Sequence, residues 1–184
     1  MEDSSSKIPK PSYLIGRMSH HAVEILLVED NPDDEWLAMR SLRKHHVSNK
    51  IHVVRDGEEA LDFVFCRGKY RESCPEHLRL ILLDIKLPKI GGLEVLEAIK
   101  ADQATAHIPV VLLTSSKEQE HMLHAYTKGA NSFLHKPIAF DEFDTLIKHV
   151  GFYWIHLNQT PELLLVEPDE TEPRESELLG PVLA

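Results

Sequence analysis

Five short apolar runs, each separated from the next by a stretch of helical periodicity, constrain this chain more than any other feature. The runs are Val23–Val28, Ile51–Val54, Leu80–Leu83, Val110–Leu113 and Ser132–His135. Leu80-Ile81-Leu82-Leu83 and Val110-Val111-Leu112-Leu113 are apolar without a break, the pattern of strands covered on both faces. Helical segments are predicted from the Asn31-Pro32-Asp33-Asp34 turn to about His45, over Glu58–Phe65, after Gly91-Gly92, and over Lys117–Lys128 up to Gly129. A last helix, with Asp141 as its cap, carries Phe143, Leu146, Ile147, Val150 and Trp154 at intervals of three or four. Parallel strands cannot be joined by tight turns and need crossovers. The alternation therefore predicts an α/β fold: a doubly wound five-stranded parallel sheet with right-handed crossovers, in a single domain.

The segments outside that pattern set the limits. Residues 1–20 mix Ser, Lys and Pro without periodicity and are expected to form a flexible leader; 21–158 hold the domain and an extended C-terminal helix; 159–184 form an acidic tail expected to be disordered. The net charge is −10, of which −6 falls after residue 160, so the folded part is nearly balanced and a nucleic-acid backbone is not the expected ligand. Cys66 and Cys74 lack metal-type spacing and are expected to be reduced thiols. The opening residues are polar and no run approaches membrane-spanning length, so a cytoplasmic protein without a membrane partner is expected.

Each of four apolar runs ends on a residue that carries chemistry. Glu29-Asp30 follow the first, Asp84 the third, Thr114 the fourth, and Lys136-Pro137 the last. In a parallel sheet these carboxyl ends share one edge, where such folds open a crevice. Three carboxylates drawn together repel unless a cation joins them, and Mg2+ takes one or two carboxylates while keeping waters for a phosphate. With that charge neutralised, the Asp84 oxygen is a nucleophile toward phosphorus, and aspartyl-phosphates are established covalent chemistry. Lys136 supplies a point charge and Thr114 a hydroxyl for the phosphoryl oxygens. A cis bond at Pro137 is expected to aim Lys136 inward.

Over residues 22–150 these positions resemble the receiver domain of two-component response regulators. The resemblance implies the flavodoxin-like receiver fold, Asp84 as phosphoacceptor, and Glu29, Asp30, Asp84 and the Lys86 carbonyl as Mg2+ ligands. It also implies Lys136 and Thr114 as the groups acting on the phosphoryl, Thr114 and Phe133 as switch residues, and Pro137 as a cis proline. The Arg67–Leu78 loop, Leu87-Pro88 with Gly91-Gly92, and Phe152-Tyr153-Trp154 with Asn158 are similar to stand-alone regulators of bacterial phytochromes. That likeness implies a sensor histidine kinase of the phytochrome type as phosphodonor. It also implies a homodimer through helix four, strand five, helix five and the aromatic tail.

Other readings stand beside this one. A lone Asp after an apolar run is ordinarily a strand-end cap; the four converging positions argue against that here. Lys86 reads either as a solvated loop lysine or as a group that alters phosphoryl lifetime. Phe152, Tyr153 and Trp154 face too many directions for one helix side, and are taken as an interface rather than a plug over the sheet. The twelve histidines have no ligand spacing and are not taken as a metal site. An enzyme is not expected: a flavin carrier needs a hydroxyl- and glycine-rich loop where this chain has Glu29-Asp30-Asn31-Pro32, and an aspartate-nucleophile phosphatase needs a second Asp at the position of Lys86. A receiver-like interaction module that is never phosphorylated is the remaining alternative.

Overall fold

The computed structural model describes residues 24–45, 50–73, 75, 78–115 and 119–159. The elements are β1 (Glu24–Val28), α1 (Pro32–Lys44), β2 (Lys50–Val54), α2 (Gly57–Val64), β3 (Leu78–Asp84), α3 (Gly92–Ala101), β4 (Val110–Thr114), α4 (Gln119–Thr127), β5 (Ser132–His135) and α5 (Phe140–Gly151). A 3-10 turn, Gly68–Tyr70, interrupts the polar loop after α2, and a π-helical segment, Phe152–Leu157, continues α5. The five strands are parallel and lie in the order β2-β1-β3-β4-β5. This is the doubly wound, flavodoxin-like sheet expected from the sequence.

Alternation along the central strand shows why the helices split between two faces. Leu80 and Leu82 of β3 pack with Ala38 and Leu42 of α1 and with Phe143, Ile147 and Val150 of α5. Ile81 and Leu83 pack on the opposite face with Phe63 of α2, Val95, Leu96 and Ile99 of α3, and Ala125 of α4. Successive strand residues point to opposite faces, so one uninterrupted apolar run serves both layers. None of the four is exposed at all (0%), and truncating any of them to Ala costs about 2–5 kcal/mol.

Two helix starts frame the carboxyl edge of the sheet. At α1 the Asn31 side chain accepts from the Asp33 amide at 2.9 Å, and Pro32 takes the first turn, where its missing N–H is not needed. Arg55, just past β2, grips Glu35 of that turn through two bonds of 2.8 Å. At α3 the Gly92 amide donates to the Ile85 carbonyl at 2.9 Å, and a Cβ on Gly92 would lie 2.1 Å from the Asp84 carbonyl oxygen. Only glycine lets α3 begin this close to the loop that carries Asp84. The strand order reverses between β1 and β3, so the loops after them diverge and leave the crevice open there.

Some expectations are corrected. Ala139, not Asp141, is the N-cap of α5; Asp141 lies inside the first turn, where its charge meets the helix dipole. β3 begins at Leu78, two residues earlier than its apolar run, because its pairing with Glu24 of β1 starts there. Cys66 is disulfide-bonded and no described cysteine is free, in place of the expected reduced thiols. Cys74, Val23, the leader 1–20 and the tail from residue 160 lie outside the described residues. The stripe on α5 packs as predicted, with Phe143, Ile147 and Val150 buried and Leu146 and Trp154 against them. No helix among the described residues is long and apolar enough to cross a membrane.

Candidate functional site

The carboxyl ends of β1, β3, β4 and β5 gather the residues that the sequence marks. Asp84 is the last residue of β3, Thr114 the last of β4, Glu29 the first after β1, and Lys136 the first after β5. The backbone holds that arrangement: the Lys136 amide donates to the Thr114 carbonyl at 2.8 Å and the Glu29 amide to the Val54 carbonyl at 3.0 Å. Glu29, Asp84 and Thr114 are all buried.

One ammonium organises the crevice. Lys136 Nζ donates to Glu29 Oε2 at 2.6 Å, Asp84 Oδ2 at 2.7 Å and Asp34 Oδ2 at 3.0 Å. A lysine has three N–H donors and no acceptor, so these contacts use all of them. Asp30 is exposed, and one carboxylate oxygen from each of Glu29, Asp30 and Asp84 lies within 4.8 Å of the others. Three carboxylates thus share one ammonium, and a fourth, Asp30, lies beside two of them. Loss of solvent pushes the Glu29 carboxyl up to about 7 against the lowering pull of Lys136, and the charges of Asp84 and Asp34 add to the rise. Burial works against the Lys136 charge as well, but hydrogen bonds to Asp84 and Glu29 outweigh it and hold the ammonium above the ordinary lysine value. An all-oxygen donor set with uncompensated negative charge fits a hard divalent cation.

Asp34 escaped the sequence reading, in which it was only part of the turn that opens the first helix. α1 follows β1 after three residues, so its first turn must overhang the carboxyl edge. That signal marks the turn but does not separate Asp34 from Asp33. The Lys136–Pro137 bond is trans, contrary to the expected cis bond, since the described chain holds no cis peptide. The end of β5 already delivers the lysine to its three partners, and trans is the lower-energy isomer.

The remaining positions divide. Lys86 is exposed, and its amide donates to Asp84 Oδ1 at 3.3 Å, which places its backbone beside the acid. Phe133 is buried, edge-on to His135 with ring centroids 5.7 Å apart, in the cluster that includes Ala125 of α4. Phe152 and Tyr153 are 55% and 50% exposed, whereas Trp154 turns toward the core and packs against the α1/α5 layer. The end of the π-helical segment is tied back to the sheet: the Asn158 amide reaches the Tyr153 carbonyl at 2.7 Å, and Arg79 of β3 binds the Asn158 carbonyl at 3.1 Å.

Residues 25–148 match the family model of the response regulator receiver domain. The chain belongs to that family. It is 37% identical over 137 residues to the probable methanogenesis regulatory protein FilR2 of Methanothrix harundinacea, covering 74% of this chain and 86% of that one. With response regulator Rcp1 of Synechocystis it shares 32% identity over 137 residues, 74% of this chain and 92% of Rcp1. Among solved structures, the phosphorylated cyanobacterial phytochrome response regulator RcpA superposes with a TM-score of 0.72 at 33% identity, covering 76% of this chain and 98% of RcpA. Rcp1 in its Mn2+-bound form superposes with a TM-score of 0.71 at 32% identity, over 76% of this chain and 99% of Rcp1. The receiver family and the likeness to phytochrome response regulators, both read from the residues, agree with these relatives.

Proposed function

We propose that this receiver domain accepts a phosphoryl group on Asp84 from the phosphohistidine of a sensor histidine kinase and signals through changed association. The observation that carries the proposal is the convergence of Asp84, Glu29, Asp30 and Lys136 at one sheet edge. A carboxylate set around a single ammonium is chemistry for holding a cation and an anion side by side.

Glu29, Asp30, Asp84 and the Lys86 carbonyl would hold Mg2+, which when bound supplies positive charge to the acids and to the incoming phosphoryl oxygens. The Mn2+-bound form of Rcp1 supports a divalent ion at such a site. An Asp84 carboxylate oxygen attacks phosphorus, forming a P–O bond as the P–N bond to the donor imidazole breaks. The electron pair of that bond leaves with the imidazole, which takes up a proton from solvent. Lys136, released from Asp84 as that acid becomes an acyl phosphate and from Glu29 as that acid turns to the cation, turns those donors to phosphoryl oxygens, and the Thr114 hydroxyl donates to another. Phe133 answers the shift of Thr114 by repacking beneath α4. The phosphorylated state is populated to the extent that it gains contacts the free state lacks.

A phytochrome-type sensor kinase is the proposed donor, on the likeness to RcpA. The proposed readout is a homodimer through α4, β5, α5 and the terminal segment. There Met122, Leu123, Tyr126, Phe152, Tyr153 and Leu157 are exposed apolar side chains. Incubation with Mg2+ and acetyl phosphate, followed by peptide mapping, tests the site. A single phosphate is expected on Asp84, and a label that persists in Asp84→Asn would overturn the assignment.

A further inference from the structure

Lys136 shares its three N–H donors among Glu29, Asp84 and Asp34, and the three acceptors differ in what the phosphoryl chemistry does to them. Asp84 becomes the acyl phosphate and stops being a free carboxylate. Glu29 belongs to the trio of acids whose oxygens converge within 4.8 Å and is drawn to the cation. Asp34 is neither the acceptor nor one of that trio. It sits on the first turn of α1, whose position is fixed by the Asn31 cap, Pro32 and the paired bonds from Arg55 to Glu35. Its side chain is 31% exposed, against 6% for Lys136, so it reaches the ammonium from the solvent side of the crevice.

From this we infer that Asp34 is a positioning residue for the phosphoryl reaction: a fixed carboxylate that keeps one Lys136 donor throughout, while the other two pass from Glu29 and Asp84 to the phosphoryl oxygens. The inference rests on the proposed phosphorylation of Asp84. Its physical basis is entropic and electrostatic. A lysine stem carries about 2 kcal/mol of rotamer freedom. Once Asp84 and Glu29 turn to phosphorus and cation, Asp34 alone among the acids bonded to Lys136 still restrains that freedom. The ammonium therefore meets the developing charge on phosphorus already in place, rather than being recruited from solvent.

The test is a set of phosphorylation rates with acetyl phosphate at saturating Mg2+ and constant ionic strength. Asp34→Asn, whose amide oxygen still accepts but carries no charge, is expected to slow labelling about three- to tenfold, the weakening of a charge-assisted hydrogen bond to a neutral one. Asp34→Glu, which keeps the charge, is expected to recover most of the rate. In a Lys136→Met background, Asp34→Asn is expected to change nothing further, because a positioning role acts only through the lysine. An equal slowing with and without Lys136, or an unchanged rate in Asp34→Asn, overturns the inference. Unfolding curves recorded for each Mg2+-loaded variant separate loss of fold from loss of positioning, and Asp34→Glu decides the matter if another variant fails to fold. Absence of label on the wild-type protein would instead defeat the parent reading, which makes the two failures distinguishable.

Discussion

Replacing Lys136 with Met removes the ammonium that bonds to Glu29, Asp84 and Asp34. Its cost in metal-free protein follows from burial: the Lys136, Glu29 and Asp84 side chains are 6%, 3% and 9% exposed. Deleting one partner of a buried pair leaves uncompensated charge and costs about 3–5 kcal/mol. That is a large share of the roughly 5–15 kcal/mol by which a domain is stable. Urea unfolding in EDTA at pH 8, above the value of about 7 at which Glu29 titrates beside Lys136, measures it as a shift in midpoint at constant slope. Mg2+ then discriminates between causes. At a hundredfold excess over its dissociation constant a ligand contributes about 2.7 kcal/mol. The gain should be larger in Lys136→Met, where no ammonium competes for the acids. Asp84→Asn, which removes one repelling charge, should unfold at higher urea than wild type in EDTA. A loss below about 1 kcal/mol in Lys136→Met, or a Mg2+ gain no larger than that of wild type, would refute the charge reasoning.

Three further expectations rest on other parts of the molecule. Gly92→Ala would place a Cβ 2.1 Å from the Asp84 carbonyl oxygen, so it should destabilise by roughly 1–3 kcal/mol and slow Asp84 phosphorylation together, read by urea unfolding and label incorporation. Asp144 on α5 is bonded to Lys44 of α1 at 2.7 Å, and that bond holds its carboxyl at about 2. A depressed folded-state value contributes stability above the ordinary 3.8 and loses it as pH falls through about 2, so wild type and Asp144→Asn should converge in stability over that window. Phe152→Ser combined with Tyr153→Ser should weaken self-association in sedimentation equilibrium while leaving the Asp84 phosphorylation rate unchanged.

The fold was legible because its two main signals are independent of each other. Uninterrupted runs such as Leu80–Leu83 place both faces of a strand in apolar surroundings, and the α5 stripe at Phe143, Ile147 and Val150 requires a helix against one of them. Glu29, Asp30, Asp84, Thr114 and Lys136 were legible because parallel topology carries every strand end to one edge. Asp34 was not, since a helix first turn rich in acids has a sufficient explanation in the dipole alone. The conformation at Pro137 was not, because sequence gives only the small energy difference between isomers while the path of the β5–α5 loop decides. Trp154 carried two signals in the sequence, a place four residues after Val150 on the α5 stripe and a place in the Phe152-Tyr153-Trp154 aromatic run, and the structure follows the first by packing it against the α1/α5 layer.

The most direct measurement of the central claim is the mass of the intact protein after exposure to acetyl phosphate, with Mg2+ and with EDTA, for wild type, Asp84→Asn and Asp30→Asn. One phosphate should appear on the wild type only when Mg2+ is present, should leave on treatment with hydroxylamine as an acyl phosphate does, and should form far more slowly in Asp30→Asn. A phosphate that survives hydroxylamine, forms equally in EDTA, or appears on Asp84→Asn would contradict the account.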